Sequence, residues 1–155
     1  MVYRMLLQLQ NRGQLAAGIT TFDSGRIPFM ATHKELGWVQ EVFKSADSFR
    51  HQALLDGLGG RSGIGHVRYA TSGGTDACFS QPFERAHEDP EKSFALAFNG
   101  NIANFLDARA SLERPGTVFA CETDTELLLH ALGIEWDATR SWGETFARIA
   151  GQLDG

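Results

Sequence analysis

FALAFNGNIANF (residues 94–105) is the stretch that decides the fold of this 155-residue chain. Its first half alternates large apolar residues with alanine, and this period of two predicts a strand with small residues on one face. Its second half has apolar residues at helical spacing, which predicts a helix capped by Asn101 and continuing to Leu112. The chain therefore changes from strand to helix at Asn99-Gly100-Asn101.

The turn between this strand and this helix has groups that suit acyl-transfer chemistry. A strand that turns into a helix exposes backbone N–H groups, and Asn99 places a side-chain amide beside the N–H of Gly100. Such a pair of donors can hold a carbonyl oxygen that becomes negative during acyl transfer. Asn-Gly is also common in ordinary turns, so this stretch alone leaves both interpretations open.

Composition excludes several classes of protein. Hydrophobic residues make up 43% and charged residues 21%, as in soluble globular domains. The net charge of −5 argues against nucleic acid, and no apolar run is long enough for a membrane span or a secretory signal. Cys78, Cys121 and five histidines without close pairing predict neither a disulfide framework nor a metal site. We therefore expect residues 1–155 to form one domain, or most of one, of a reduced cytoplasmic protein.

Apolar patterns predict the other elements. Strands are predicted at 16–22, 27–33, 64–70 and 118–120. Helices are predicted at 2–10, 38–43, 48–58 and 142–153, with one more that starts in a capping box of Thr123 and Glu126. These elements do not follow a regular βαβ order, so the sequence predicts an α+β fold with largely antiparallel sheets.

Two charged residues stand where a predicted element meets a loop. Arg68 is on a strand that reads as buried, and a buried guanidinium is best partnered by a carboxylate. Asp124 lies in the first turn of a helix, where N–H groups and the helix dipole stabilise its charge. With the turn at Asn99, these groups fit a free α-amino acid that has a side-chain carbonyl. Alternatively, Arg68 and Asp124 pair with each other and Asp124 is only a helix cap.

Five motifs occur in the order seen in class II glutamine amidotransferase domains. They are RGQLAAGI (12–19), IGHVRYATSG (64–73), QPF (81–83), FNGNIAN (98–104) and TDTELLLH (123–130). The chain thus resembles this family of N-terminal nucleophile hydrolases, whose fold is a four-layer αββα sandwich. Within the family, RGQ followed by HVRYAT most resembles the amidophosphoribosyltransferases.

The resemblance implies a role for each matching residue. Asn99, through its side chain, and Gly100, through its N–H, would form the oxyanion hole. The other implied roles are α-carboxylate binding by Arg68 with Tyr69 and Thr71 beside it, α-amino binding by Asp124, and support of the nucleophile by Arg12 and Gly13. His66 is interpreted as structural, and Phe98 stands where the family often has histidine.

The resemblance also implies a reaction, and the sequence departs from what that reaction needs. The parent enzyme would hydrolyse glutamine to glutamate and ammonia, and transfer the ammonia to phosphoribosylpyrophosphate in purine synthesis. Its nucleophile is an N-terminal cysteine, whereas residue 1 here is Met and neither Cys78 nor Cys121 is terminal. We therefore expect a partial domain that is incomplete at its N-terminus and inactive in isolation. We also expect its sheet to be left partly uncovered, which would favour self-association.

Cofactors, partners and alternatives follow from the same resemblance. No cofactor is expected in this domain, Mg²⁺ is expected in a phosphoribosyltransferase domain outside the chain, and some relatives carry an iron–sulfur cluster. The expected partners are glutamine, that transferase domain and further copies of the parent. Two alternatives remain: a non-catalytic homologue that binds glutamine or a protein, and the glutaminase domain of a sugar aminotransferase.

Overall fold

The computed structural model describes residues 1–44, 47–69, 76–113, 116–139 and 141–155, and the chain divides into two compact units. The first unit comprises Met1–Glu84 and Ala95–Ala97, and the second comprises Arg85–Phe94 and Phe98–Gly155. Thr71, one of the predicted substrate-binding residues, lies outside the described residues, as does Ala70 at the end of a predicted strand.

The first unit combines helices with a three-stranded sheet. Its elements are α1 (Val2–Gln8), a 3₁₀ helix (Gln10–Arg12), β1 (Ala16–Phe22), β2 (Met30–Leu36), α2 (Val39–Phe43), α3 (Ser48–Gly57), β3 (Ser62–Arg68) and a second 3₁₀ helix (Ala77–Phe79). β1 lies between β2 and β3 and is antiparallel to both. The predicted α+β class with antiparallel strands is therefore confirmed.

One face of this sheet is covered by helices. The buried core consists of Leu6, Ala17, Ile19, Val39, Val42 and Phe43. A Cβ on Gly65 would lie 2.8 Å from the Val2 side chain and 3.0 Å from that of Leu6, so glycine lets α1 approach β3 closely. Because side chains alternate along a strand, His66 and Arg68 project from the opposite face of the sheet.

The second unit is mainly helical. Besides the three-stranded sheet, the chain forms a two-stranded sheet of β4 (Phe83–Arg85) and β5 (Phe94–Leu96). The second unit contains a 3₁₀ helix (Pro90–Lys92), α4 (Phe105–Glu113), α5 (Asp124–Ala138) and α6 (Trp142–Ala150). Its buried apolar residues include Leu127, Leu129, Ala131 and Leu132 of α5 and Ile149 of α6. No helix in the described ranges is long and apolar enough to cross a membrane.

The helix predicted to start after its cap, Asn101, begins three residues later than expected, at Phe105. The intervening residues form other hydrogen bonds: Ala103 donates its N–H to the Asp154 carbonyl at 2.6 Å, and the Asn104 side chain bonds backbone atoms of the same C-terminal segment. These partners are distant in sequence, so a local pattern does not reveal them.

Three predicted strands also differ from the structure, and one of them, β3, covers Ser62–Arg68 where 64–70 was predicted. Residues 118–120 form no strand, because the N–H of Ala120 donates to the Glu126 carboxylate at 2.6 Å. β2 runs from Met30 to Leu36 rather than over 27–33, because a hydrogen bond of 2.9 Å from the Asp23 N–H to the Phe29 carbonyl closes a longer loop.

Candidate functional site

Arg68 is the last residue of β3 and is only 9% exposed. Its guanidinium lies over the Phe79 ring, 5.0 Å from the ring centre, and its carbonyl accepts the Leu15 N–H at 2.9 Å. An arginine is always charged at neutral pH, and burial strengthens its attraction for an anion. The strand end therefore presents a cation that is fixed by packing, as the sequence pattern predicted.

Gly13 lies directly against this strand end. A Cβ at Gly13 would be 2.6 Å from the Val67 carbonyl carbon and 2.7 Å from that of Arg68, so any side chain would displace the backbone. The first unit thus brings Gly13 and Arg68 together. The neighbouring Arg12 is exposed in its 3₁₀ helix, and Tyr69 is 62% exposed just after β3.

His66 lies on the same face of β3 as Arg68. Its Nδ1 is buried and makes no hydrogen bond within the described part of the chain. Burial and the Arg68 charge lower the pKa of His66, so the neutral ring is favoured. A neutral imidazole avoids placing a second positive charge beside Arg68; the structural role of His66 stays a prediction.

The predicted oxyanion turn lies in the second unit. Asn99 and Gly100 are both exposed, and a Cβ at Gly100 would collide with the Phe98 ring. Beyond the turn Ile102 is buried, which fixes the backbone immediately after the two donors. The turn is therefore open to solvent on one side and anchored on the other.

Asp124 is the first residue of α5, and its carboxylate lies near enough to the Ile102 N–H for that group to favour its ionised form. The second unit thus brings Asp124 next to the segment that follows Asn99 and Gly100. Burial raises the pKa of the Asp124 carboxyl, although the Ile102 N–H acts in the opposite direction. A partly buried carboxylate at a helix N-terminus is suited to bind an ammonium group, because its attraction to a cation offsets the free energy lost when the carboxylate is removed from water.

The hydrogen-bond partners of Glu126 differ from those of the predicted capping box. Thr123 Oγ1 accepts the Glu126 N–H at 3.0 Å, which is one half of the predicted capping box. In place of the reciprocal bond to the cap, the Glu126 carboxylate accepts the N–H groups of Ala120, Cys121 and Glu122 at 2.6, 2.8 and 2.8 Å. The Thr-x-x-Glu spacing was the available signal, but it pointed to the wrong backbone donor.

The two cysteines occupy separate local structures. Cys78 lies in the 3₁₀ helix Ala77–Phe79, where its N–H donates to Asp76 at 2.9 Å. Cys121 lies in the loop before α5, and neither cysteine is part of a disulfide. Within the described ranges, no group of three or more His, Cys, Asp or Glu side chains could hold a metal ion.

Comparisons with known proteins match the chain over nearly its whole length. A family model described as a glutamine amidotransferase domain matches residues 56–148. The chain is 37% identical over 154 residues to the amidophosphoribosyltransferase of Methanothermobacter thermautotrophicus. This alignment covers 99% of the chain and 30% of the relative.

Two solved structures match 99% of this chain and 30% of their own chains. One is the glutamine phosphoribosylpyrophosphate amidotransferase from Bacillus subtilis complexed with ADP and GMP, with 31% identity and a TM-score of 0.75. The other is described as the allosteric regulatory enzyme of purine biosynthesis, with 32% identity and a TM-score of 0.79. The chain therefore spans about a third of the length of these relatives.

Proposed function

The chain belongs to the glutamine amidotransferase domain family, and we propose that it is the glutaminase domain of an amidophosphoribosyltransferase. In this proposal the complete enzyme hydrolyses glutamine to glutamate and ammonia, and a transferase domain adds the ammonia to phosphoribosylpyrophosphate for purine synthesis. The parent enzyme is cytoplasmic and contains several copies of its chain.

Each part of glutamine has a proposed partner. Arg68, with Tyr69 and Thr71 beside it, binds the α-carboxylate, and Asp124 binds the α-ammonium. The Asn99 side chain and the Gly100 N–H bind the amide oxygen as it becomes negative. Arg12 and Gly13 support the end of the site where the nucleophile attacks.

The observation that carries this proposal is the position of Asp124, at the first residue of α5 and with its carboxylate near the Ile102 N–H. Ile102 follows Gly100 by two residues, so a carboxylate suited to an ammonium lies near a turn suited to an oxyanion. An α-amino acid with a side-chain carbonyl contains both of the groups that these residues would bind. The match to the glutamine amidotransferase family supports glutamine as this amino acid.

We also propose that the 155-residue polypeptide binds glutamine without hydrolysing it. The family's nucleophile uses its own free α-amino group as the likely general base, whereas Cys78 and Cys121 each have their nitrogen in a peptide bond. The Cys121 N–H is moreover bonded to Glu126. An assay of ammonia release should detect none; release that Cys78→Ser or Cys121→Ser abolishes would contradict this.

Calorimetric titration with glutamine tests the proposed binding directly. Arg68→Met should weaken binding about tenfold or more, because a charge-assisted hydrogen bond to the α-carboxylate is lost. Arg61→Met is the matched control, since the Arg61 side chain is 83% exposed and its ion pair with Asp23 is long, at 3.9 Å. Equal affinity of the Arg68→Met variant and the wild type would contradict the proposal.

A further inference from the structure

Glu126 is a buried carboxylate with an unusual set of partners. It is 5% exposed, and its two oxygens accept three consecutive backbone N–H groups, those of residues 120–122. Hydrogen bonds to an ionised acceptor are about twice as strong as neutral ones. A single side chain therefore fixes the backbone of the loop that leads into Asp124.

The same loop contains a residue in a conformation that costs energy. Glu122 has a φ of +51°, in the left-handed region that residues other than glycine rarely adopt. Such a conformation persists only where surrounding contacts determine it. The Glu126 carboxylate provides one such contact, because it accepts the Glu122 N–H at 2.8 Å.

A second set of contacts holds the side chains of this loop. Arg109 of α4 donates to the Glu122 carboxylate at 2.9 Å and to Glu113 at 2.8 Å, and its guanidinium lies over the Phe119 ring at 5.3 Å. Phe119 also packs edge-on against His130 of α5. Side chains of the loop are thus held by Arg109 of α4 and His130 of α5, in addition to the backbone bonds to Glu126.

His130 stands four residues after Glu126 on the same helix, α5. Its Nε2 lies 3.9 Å from Glu126 Oε1, beyond hydrogen-bond distance, and burial lowers the pKa of His130. A neutral ring at this distance does not compete with the three N–H groups. The Glu126 carboxylate therefore bonds to the three N–H groups of the loop and not to His130.

We propose that Glu126 is a positioning residue that holds residues 120–123 so that the Asp124 carboxylate meets the α-ammonium of the substrate. This inference rests on the proposed function, because it assumes that Asp124 binds glutamine. It differs from a role as a helix cap, which would stabilise α5 without any preference for the ammonium group of the ligand.

The test compares two ligands by NMR titration, which measures weak as well as tight binding. One ligand is L-glutamine, and the other is 5-amino-5-oxopentanoate, which is glutamine without its α-amino group. Glu126→Gln should weaken glutamine binding about tenfold and leave binding of the second ligand unchanged, because only the contact to the ammonium depends on Asp124. Asp124→Asn should give the same pattern.

Glu135→Gln is the matched control, since Glu135 lies on the same helix but bonds to Arg148 and Gln152. It should change neither affinity. Equal losses for both ligands in Glu126→Gln, or no loss for either, would overturn the positioning role. Failure of the wild-type chain to bind glutamine would instead overturn the proposed function.

Hydrogen exchange of the wild-type chain decides the question if Glu126→Gln does not fold. The amides of Ala120, Cys121 and Glu122 should be protected before any ligand is added, because all three are bonded to Glu126. Exchange of these amides at the rate of an unstructured peptide would overturn the proposal.

Discussion

The Asp124 carboxylate, which we propose binds the α-ammonium group, opposes the stability of the folded chain. It lies at the first position of α5, partly buried, and burial raises its pKa from the ordinary value of aspartate. A raised pKa means that the folded state binds a proton more tightly than the unfolded state does. The ionised form present at neutral pH therefore costs folding free energy, which a bound ammonium would offset.

Asp124→Asn should separate binding from stability. The amide carries no charge, so the variant should be at least as stable as the wild type at pH 7 while its affinity for glutamine falls about tenfold or more. As the pH is lowered through the raised pKa, the wild type becomes protonated and the difference in stability should disappear. Thermal melting between pH 7 and pH 3, with calorimetry at pH 7, measures both effects.

Asp107→Asn is a suitable control for this change. Asp107 is an exposed residue in the first turn of α4, so its substitution should leave glutamine affinity unchanged. A loss of stability at pH 7 in Asp124→Asn, with unchanged glutamine binding, would contradict the role given to Asp124.

At the scale of elements, the loop and the N-terminus of α5 act as one structure. Thr123 bonds forward to the Glu126 N–H, and the Glu126 carboxylate bonds back to residues 120–122. The helix start is thereby joined to the loop before it. A substitution that removes the Thr123 cap should therefore lower the free energy of unfolding.

Thr123→Ala should lower that free energy by about 1 kcal/mol, the usual cost of losing an N-cap hydrogen bond. Thr123→Ser retains the hydroxyl and should remain close to the wild type. Urea denaturation of the three proteins measures the difference. Equal stability of the alanine and serine variants would show that the Thr123 hydroxyl does not stabilise the helix start.

The elements also show what a sequence can predict. The predicted bounds of β1 agree with the structure, and Thr123 caps α5 as predicted, because alternation and capping depend on residues close in sequence. The burial of Arg68 followed from the same kind of pattern. The predicted start of α4 was wrong, because the residues before this helix bond to a C-terminal segment about 50 residues away. The predicted partner of Glu126 was wrong, because several backbone N–H groups lie within reach of its carboxylate.

At the scale of the whole molecule, the comparisons establish more than any single element does. The antiparallel sheet of the first unit and the helices of the second agree with the α+β fold of N-terminal nucleophile hydrolases that the motifs implied. The match covers 99% of this chain but 30% of the matched structures. The activity of a complete amidophosphoribosyltransferase therefore remains a proposal for this chain.

The open edge of the sheet gives a further prediction. Within the described residues, β3 pairs only with β1, and Ile64 on that edge strand is 37% exposed. Unpaired strand edges favour association, and a charge on the edge opposes it. The chain should self-associate as its concentration rises, and Ile64→Lys should reduce this in light scattering coupled to gel filtration.

Val118→Lys is the control for this substitution. Val118 is 81% exposed but lies in a loop, so the change removes apolar surface without altering a strand edge. It should leave association unchanged. A wild-type chain that remains monomeric at all concentrations would contradict the prediction.

Titration of the isotope-labelled chain with L-glutamine, followed by NMR, is the most direct test of whether this chain binds glutamine. We expect L-glutamine to bind saturably and to shift the signals of the Gly100 amide and the Arg68 side chain. D-glutamine should bind much more weakly. No binding of L-glutamine, or shifts that leave both Gly100 and Arg68 unaffected, would contradict the claim that this chain is a glutamine-binding domain.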